Sequence, residues 1–191
     1  LRDMHVIAAG GFRDGSGLAA ALAWGADGIA MGTRFMMTQE SPVPSQTKES
    51  YISAGIDDIK ITKKFDGLPH RLIFNDYIKK IDHSNPFTLL WISITSAIKY
   101  KQLTQSSYKD LIKAFFAMLK GDDLTISQSV MSANSPAIIQ KAMVEGFPEE
   151  GAMPSGQVAG IITNLPACED LVLEIMSDFD QACSKLEGIR R

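Results

Sequence analysis

The sequence predicts an α/β fold, with a parallel βαβ unit at its beginning and a mainly helical region after it. Three observations predict this. The apolar run Val6-Ile7-Ala8-Ala9 stops at Gly10-Gly11. A second run, Gly28-Ile29-Ala30-Met31, stops at Gly32-Thr33. The Ala-rich stretch between them carries helix signals at both ends. Short continuous apolar runs suit parallel strands covered on both faces, and two of them joined by a helix make a right-handed crossover.

The elements follow in order. His5 to Ala9 is the first strand. Asp14 is placed to cap a helix running to Trp24 and to oppose its N-terminal dipole, and Gly25 is placed to end it. Leu18, Leu22 and the neighbouring alanines form its expected buried face. Gly28 to Thr33 is the second strand. Ser41-Pro42-Val43-Pro44 forces extended backbone and then permits a helix to about Ala54, closed by Gly55. Ile59 to Phe65 and Leu72 to Phe74 read as extended pieces around a turn at Asp66-Gly67-Leu68-Pro69. Helices are predicted from Pro86 to Lys101 and from Ser107 to Leu119, the second with a stripe of Leu111, Phe115, Met118 and Leu119. Two more, Leu124 to Met131 and Pro136 to Glu145, are separated by Asn134-Ser135-Pro136, and Gly146 to Pro154 is a loop.

Ser155-Gly156-Gln157 opens a short helix to Ile162, and Pro166 opens the last long one. There Leu171, Val172, Ile175, Met176, Phe179, Ala182, Cys183 and Leu186 follow helical spacing, while Glu169, Asp170, Glu174 and Asp178 face away as a solvated side. The chain therefore divides into 1–40, 41–85, 86–152 and 153–191.

Composition narrows the partners. With 191 residues the chain falls short of the roughly 250 of a complete (β/α)8 barrel, so a barrel reading is a partial one. Nineteen Lys and Arg against 22 Asp and Glu leave a net charge of -3, which argues against nucleic acid and anionic membrane. No apolar run reaches the length of a membrane span, and no signal segment opens the chain. Cys168 and Cys183 stand on one predicted helix, about 22 Å apart by its rise, too far for a disulfide. A cytoplasmic location is expected. The chain opens on Leu1 and enters a strand within a few residues, so it is expected to begin inside a domain.

The constellation that carries chemistry is Gly10-Gly11 after the first strand with Gly32-Thr33 after the second. A phosphate monoester needs backbone amides that approach closely, and glycine allows this; neighbouring βα turns late in (β/α)8 barrels frequently form such a site. Glycine after a parallel strand is also how such strands simply turn. Gly15-Ser16-Gly17-Leu18-Ala19-Ala20 satisfies G-x-G-x-x-A, but it starts six residues after Ala9 and no acid ends the second strand, which disfavours a dinucleotide site. Arg34 either neutralises a phosphate or sits in an ion pair. Cys and His lack metal-ligand spacing, so no metal is expected.

These residues resemble a family. Ala8-Ala9-Gly10-Gly11, Asp14-Gly15, Gly25-Ala26-Asp27-Gly28 and Met31-Gly32-Thr33-Arg34-Phe35 look like the FMN-binding end of nitronate monooxygenase, also called 2-nitropropane dioxygenase. Gly67-Leu68-Pro69-His70-Arg71 with Asn75, and Met153-Pro154-Ser155-Gly156-Gln157-Val158-Ala159-Gly160, are similar to later segments of the family. The resemblance implies the C-terminal part of an FMN-binding (β/α)8 TIM barrel with an appended mainly helical region: 1–40 would be the last two βα units, and 153–191 a flavin-proximal short helix and a terminal helix. It implies that FMN phosphate is held by Gly10, Gly11, Ala30, Met31, Gly32 and Thr33. Gln157 would approach the flavin, and Ser155 and Gln157 the substrate pocket. Ala30 replaces a polar residue frequent in relatives, and Phe12 an aliphatic one.

The implied reaction is oxidation of an alkyl nitronate by O2. An NAD(P)H:quinone reductase or an FMN-dependent enoyl-acyl-carrier-protein reductase on the same scaffold shares these turns. A third reading is a non-catalytic fragment or subunit that docks a missing half-barrel or associates as a homo-oligomer. The family's catalytic histidine lies in a Gly-His-x-Gly type segment that this chain lacks. His5 begins a strand, His70 follows a turn and His83 lies in a polar loop, so no catalytic residue is assigned and the isolated chain is expected to be inactive.

Overall fold

The computed structural model describes residues 4–65, 67–85, 88 and 126–189. The helices expected at 86–101 and 107–119, and Asp66 of the expected turn, lie outside the described residues. The chain forms two compact units: Leu1–Pro42 with Tyr51–Ile56 and Ser155–Arg191, and Val43–Ser50 with Asp57–Pro154.

In the first unit, strands β1 (Ile7–Ala9) and β2 (Gly28–Ala30) pair in parallel, with Ile7 opposite Gly28 and Ala9 opposite Ala30. Helix α1 (Gly15–Ala23) makes the crossover. Its cap is the expected one: Asp14 is extended and its carboxylate accepts the Gly17 amide at 2.9 Å. Gly25, at φ 95°, ends it. Where the strands begin, Asp27 accepts the Val6 amide through its carboxylate and returns its own amide to the Val6 carbonyl, both at 2.7 Å.

Burial departs from expectation. Val6 and Ile7 are 54% and 55% exposed, because two three-residue strands present too little sheet to be covered on both faces. The second strand stops at Ala30, and Thr33 instead opens a four-residue helix, α2 (Thr33–Met36), after Gly32 turns to φ -90°, ψ -76°.

Helix α3 (Ser45–Ser53) follows Pro44 as the sequence predicts. In the second unit, β3 (Ile59–Thr62) and β4 (His70–Ile73) pair antiparallel, Ile59 opposite Ile73. Helix α4 (Asp76–His83), absent from the sequence reading, places His83 in a last helical turn rather than a loop, while His70 opens a strand. Asn75 caps α4 by accepting the Ile78 amide at 2.9 Å, and its Nδ2 donates to the carbonyls of Gly151, at 2.9 Å, and Pro148. The unit's core is Phe65, Leu72, Phe74, Ile78, Ile81, Ile138 and Ala152.

Helix α5 (Ile126–Met143) runs unbroken through Pro136, where the sequence predicts a break. Pro136 has no amide to give the Ser132 carbonyl, and the Ser135 hydroxyl donates to that carbonyl at 3.0 Å in its place.

The last helix, α6 (Cys168–Ile189), packs on α1 in the first unit. The two touch backbone to backbone at Gly15, where a Cβ would fall 2.0 Å from the Ile175 carbonyl oxygen and 2.2 Å from the Phe179 nitrogen. This small-residue crossing narrows the buried stripes. On α1 the buried positions are Gly15 and Ala21 while Leu22 is exposed; on α6 they are Leu171 and Ile175, with Val172, Met176 and Leu186 largely exposed. Cys168 and Cys183 are both free.

Candidate functional site

The parallel register fixes where the two glycine turns go. With Ala9 opposite Ala30, Gly10-Gly11 and Met31-Gly32-Thr33 leave the carboxyl ends of β1 and β2 side by side. Gly10 and Gly11 stand at φ 92° and 84°, a backbone region that costs an L-residue about 1–2 kcal/mol. A Cβ built at Gly10, Gly11 or Gly32 meets nothing within 4 Å. The result is a cradle of main chain with open space where side chains would stand.

Thr33 ties this cradle to the segment that carries Ser155 and Gln157. Its Oγ1 accepts the Gly156 amide at 2.7 Å, which leaves the hydroxyl proton available to donate. The approach requires glycine, since a Cβ at Gly156 would stand 2.8 Å from Thr33 Oγ1. Next to it, Ser155 Oγ is buried and has no hydrogen-bond partner among the described residues. Such a group costs about 1–3 kcal/mol until something satisfies it. Gln157 opens the 3₁₀ helix Gln157–Ile161 with an exposed side chain, and Ala30 is also exposed. Thus Gly10, Gly11, Ala30, Met31, Gly32, Thr33, Ser155 and Gln157 all fall in the first unit.

Arg34 resolves to the ion-paired alternative. The residue is 5% exposed. Its Nη2 donates to Asn164 Oδ1 at 2.9 Å and Nη1 to the Asn164 carbonyl at 3.4 Å, with Glu174 Oε2 4.0 Å from Nη2. Burial lowers the guanidinium pKa from its ordinary value, Glu174 opposes that shift, and Arg13 adds to it. Arg13, Asp14, Arg34, Asn164, Glu174 and Asp178 are among the residues lining a cavity of about 150 Å³. Glu174 and Asp178, expected on a purely solvated helix face, therefore belong to this charged pocket.

The other sequence motifs resolve into structure. Gly15-Ser16-Gly17 lies inside α1, with Gly15 pressed against α6 rather than open to a ligand. His5 is exposed, 3.7 Å from Asp27 at the end of β1 away from the cradle. His70 stacks edge-on to Phe65, and a ring nitrogen of His83 lies 2.8 Å from the Lys79 carbonyl oxygen. Among the described residues no cluster of three or more His, Cys, Asp or Glu is arranged to hold a metal ion, and no helix is long and apolar enough to cross a membrane. Two contributors escaped the sequence reading as contact residues. Asn164 carries no local signal, and Gly156 lies inside a quoted motif that does not reveal its partner.

Comparison with known proteins gives a consistent result. The profile of the nitronate monooxygenase family matches residues 2–178. A protein of Rhodococcus jostii described as (3aS,4S,5R,7aS)-5-hydroxy-7a-methyl-1-oxo-octahydro-1H-indene-4-carboxyl-CoA dehydrogenase is 42% identical over 98% of this chain and 53% of its own length. A Mycobacterium tuberculosis protein of the same description is 41% identical over 91% of this chain and 49% of its own. The solved structure of FabK from Thermotoga maritima superposes with a TM-score of 0.63 at 27% identity, covering 98% of this chain and 48% of that one. The chain spans about half the length of the curated relatives it matches.

Proposed function

The chain belongs to the nitronate monooxygenase family, and on that premise we propose that it holds the phosphate end of FMN as the last two βα units of a (β/α)8 barrel. One observation carries the reading. Three glycines at the carboxyl ends of neighbouring parallel strands have empty space where a Cβ would lie, two of them at positive φ. Exposed amides in such turns bind phosphate oxygens without a side chain intervening.

The residues fit the group. Amides of Gly10, Gly11, Gly32 and Thr33 are the proposed phosphate donors, with Met31 and Ala30 shaping the second turn. The Thr33 hydroxyl would donate a hydrogen bond to a phosphate oxygen while still accepting the Gly156 amide. Ser155 Oγ, buried without a partner, and the exposed Gln157 are assigned to the flavin or substrate side. When bound, FMN supplies the redox chemistry, and these residues bind and orient it. His5 precedes β1 at its far end and the first unit holds no other histidine among its described residues, so the group that exchanges a proton with substrate is assigned outside these turns.

The family reading makes the substrate an alkyl nitronate oxidised with O2. A second reading, dehydrogenation of a carboxyl-CoA substrate, is favoured by the 42% identity that runs through 98% of the chain. Titrating the protein with FMN and with riboflavin tests the site. Two charge-assisted hydrogen bonds to phosphate are together worth about 3–6 kcal/mol, so FMN is expected to bind roughly 100-fold tighter or more. Equal affinities would defeat the proposal. Assay of a complete FMN-loaded barrel that includes this chain, with a propyl nitronate and with a cyclic carboxyl-CoA thioester, then separates the two substrate readings.

A further inference from the structure

Arg34 follows Thr33 directly, and its guanidinium is buried against Asn164, toward the far end of the segment that Thr33 also grips. Both of its terminal nitrogens are engaged by Asn164, through the side-chain oxygen at 2.9 Å and the carbonyl at 3.4 Å. With 5% exposure and those partners, the guanidinium is not disposed to neutralise a phosphate. We infer that Arg34 is a positioning residue: by clamping Asn164 it sets the orientation of the Gly32-Thr33 turn and joins that turn to Ser155 and Gln157 as one body. The inference rests on the FMN reading above and names what holds that site in shape.

The need for a brace follows from α2 itself. It has four residues, and Gly32 provides no side-chain cap, so it lacks the length and the end contacts that keep a helix oriented on its own. External contacts supply the orientation at several points. Thr33 Oγ1 takes the Gly156 amide at 2.7 Å. The Gln39 amide donates to the Pro166 carbonyl at 3.0 Å and Gln39 Nε2 to the Leu165 carbonyl at 3.2 Å. Glu40 accepts the Cys168 amide at 2.9 Å. Residues 33–40 thus bracket residues 156–168, and Arg34 provides the buried, forked contact within the bracket. Glu174, 4.0 Å away, supplies the charge that offsets burial of the cation. A forked guanidinium fixes direction as well as distance, which an ammonium does not. Loss of the fork would let the turn rotate, and phosphate donors misplaced by about 1 Å lose much of their worth.

The experiment compares riboflavin and FMN affinities in Arg34→Lys, which retains the charge without the fork, and in Asn164→Ala, which removes one acceptor from an exposed side chain. Expected is a fall of about tenfold or more in the FMN preference for Arg34→Lys and roughly threefold for Asn164→Ala, with riboflavin affinity within about twofold of the parent. Asn164→Asp, which retains an acceptor, is expected to restore the preference. Variants that hold the parent's full FMN preference overturn the inference. So do variants that lose riboflavin and FMN affinity equally in step with thermal stability, since Arg34 would then support only the fold. If Arg34→Lys fails to fold, the Asn164 pair decides the matter. A parent protein with no preference for FMN defeats the FMN reading itself, a result distinct from either variant outcome.

Discussion

Replacing Gly32 with leucine separates ligand binding from folding more cleanly than any other change in the cradle. Gly32 lies at φ -90°, ψ -76°, in the right-handed region open to ordinary residues, and its built Cβ meets nothing within 4 Å. Gly32→Leu therefore imposes neither backbone strain nor a clash, and its effect on stability should stay within about 0.5 kcal/mol. The new side chain occupies the space proposed for a phosphate group. If it displaces the phosphate from two donors at about 1.5–3 kcal/mol each, FMN affinity falls roughly 100-fold or more. Riboflavin affinity, lacking that contribution, should change far less. Flavin fluorescence titration measures the first effect and urea unfolding the second. Gly11→Ala provides the contrast, because at φ 84° it should also lose about 1–2 kcal/mol of stability. A Gly32→Leu protein that binds FMN as the parent does would refute the placement of the phosphate.

Two other substitutions probe the frame that holds the cradle. Gly15→Ala should lower stability by about 2 kcal/mol, or roughly 4–8 °C in thermal unfolding, because the contacts at 2.0 and 2.2 Å are with backbone atoms that cannot rotate away. Gly17→Ala, whose Cβ would meet the movable Phe12 ring at 3.1 Å and Asp14 Oδ1 at an ordinary contact distance of 3.5 Å, should be neutral or slightly stabilising by the same measurement. Asn75→Ala removes the α4 cap and both donors to the 148–151 turn, and should cost about 2–3 kcal/mol in urea unfolding while leaving FMN preference unchanged.

Local backbone signals were legible in the sequence, and distant contacts were not. Asp14 and Gly25 bracket α1 because capping and helix termination depend on adjacent residues. Pro44 likewise marks the approach to α3. The depth of burial around Val6 and Ile7 was misread, since it depends on how many strands the sheet contains, which two apolar runs do not encode. The α5 break was misread because Pro136 is a breaker by type, whereas the Ser135 hydroxyl that compensates for it is a matter of rotamer. Helix α4 went unread although Asn75-Asp76 ahead of Ile78 and Ile81 was its signal. In the site, the glycine turns were visible as residue types. The Thr33–Gly156 and Arg34–Asn164 bonds link residues 123 and 130 positions apart, a separation at which no spacing rule operates.

What a glycine does here is decided by what stands where its Cβ would be. Gly15, Gly151 and Gly160 would place that atom 2.0, 2.4 and 2.7 Å from backbone of another segment, so each permits close packing. That assigns the G-x-G-x-x-A match at Gly15 to a helix crossing. Gly10, Gly11 and Gly32 face empty space instead. Emptiness alone is insufficient, because Gly25 is equally open and serves only to end α1 where β2 begins. The distinction is position: the three cradle glycines follow the carboxyl ends of two paired parallel strands, where strand direction carries successive amides outward together. Openness combined with that placement makes these glycines candidates for contact with a phosphate, and it is the combination that the Gly32→Leu and Gly11→Ala proteins put to measurement.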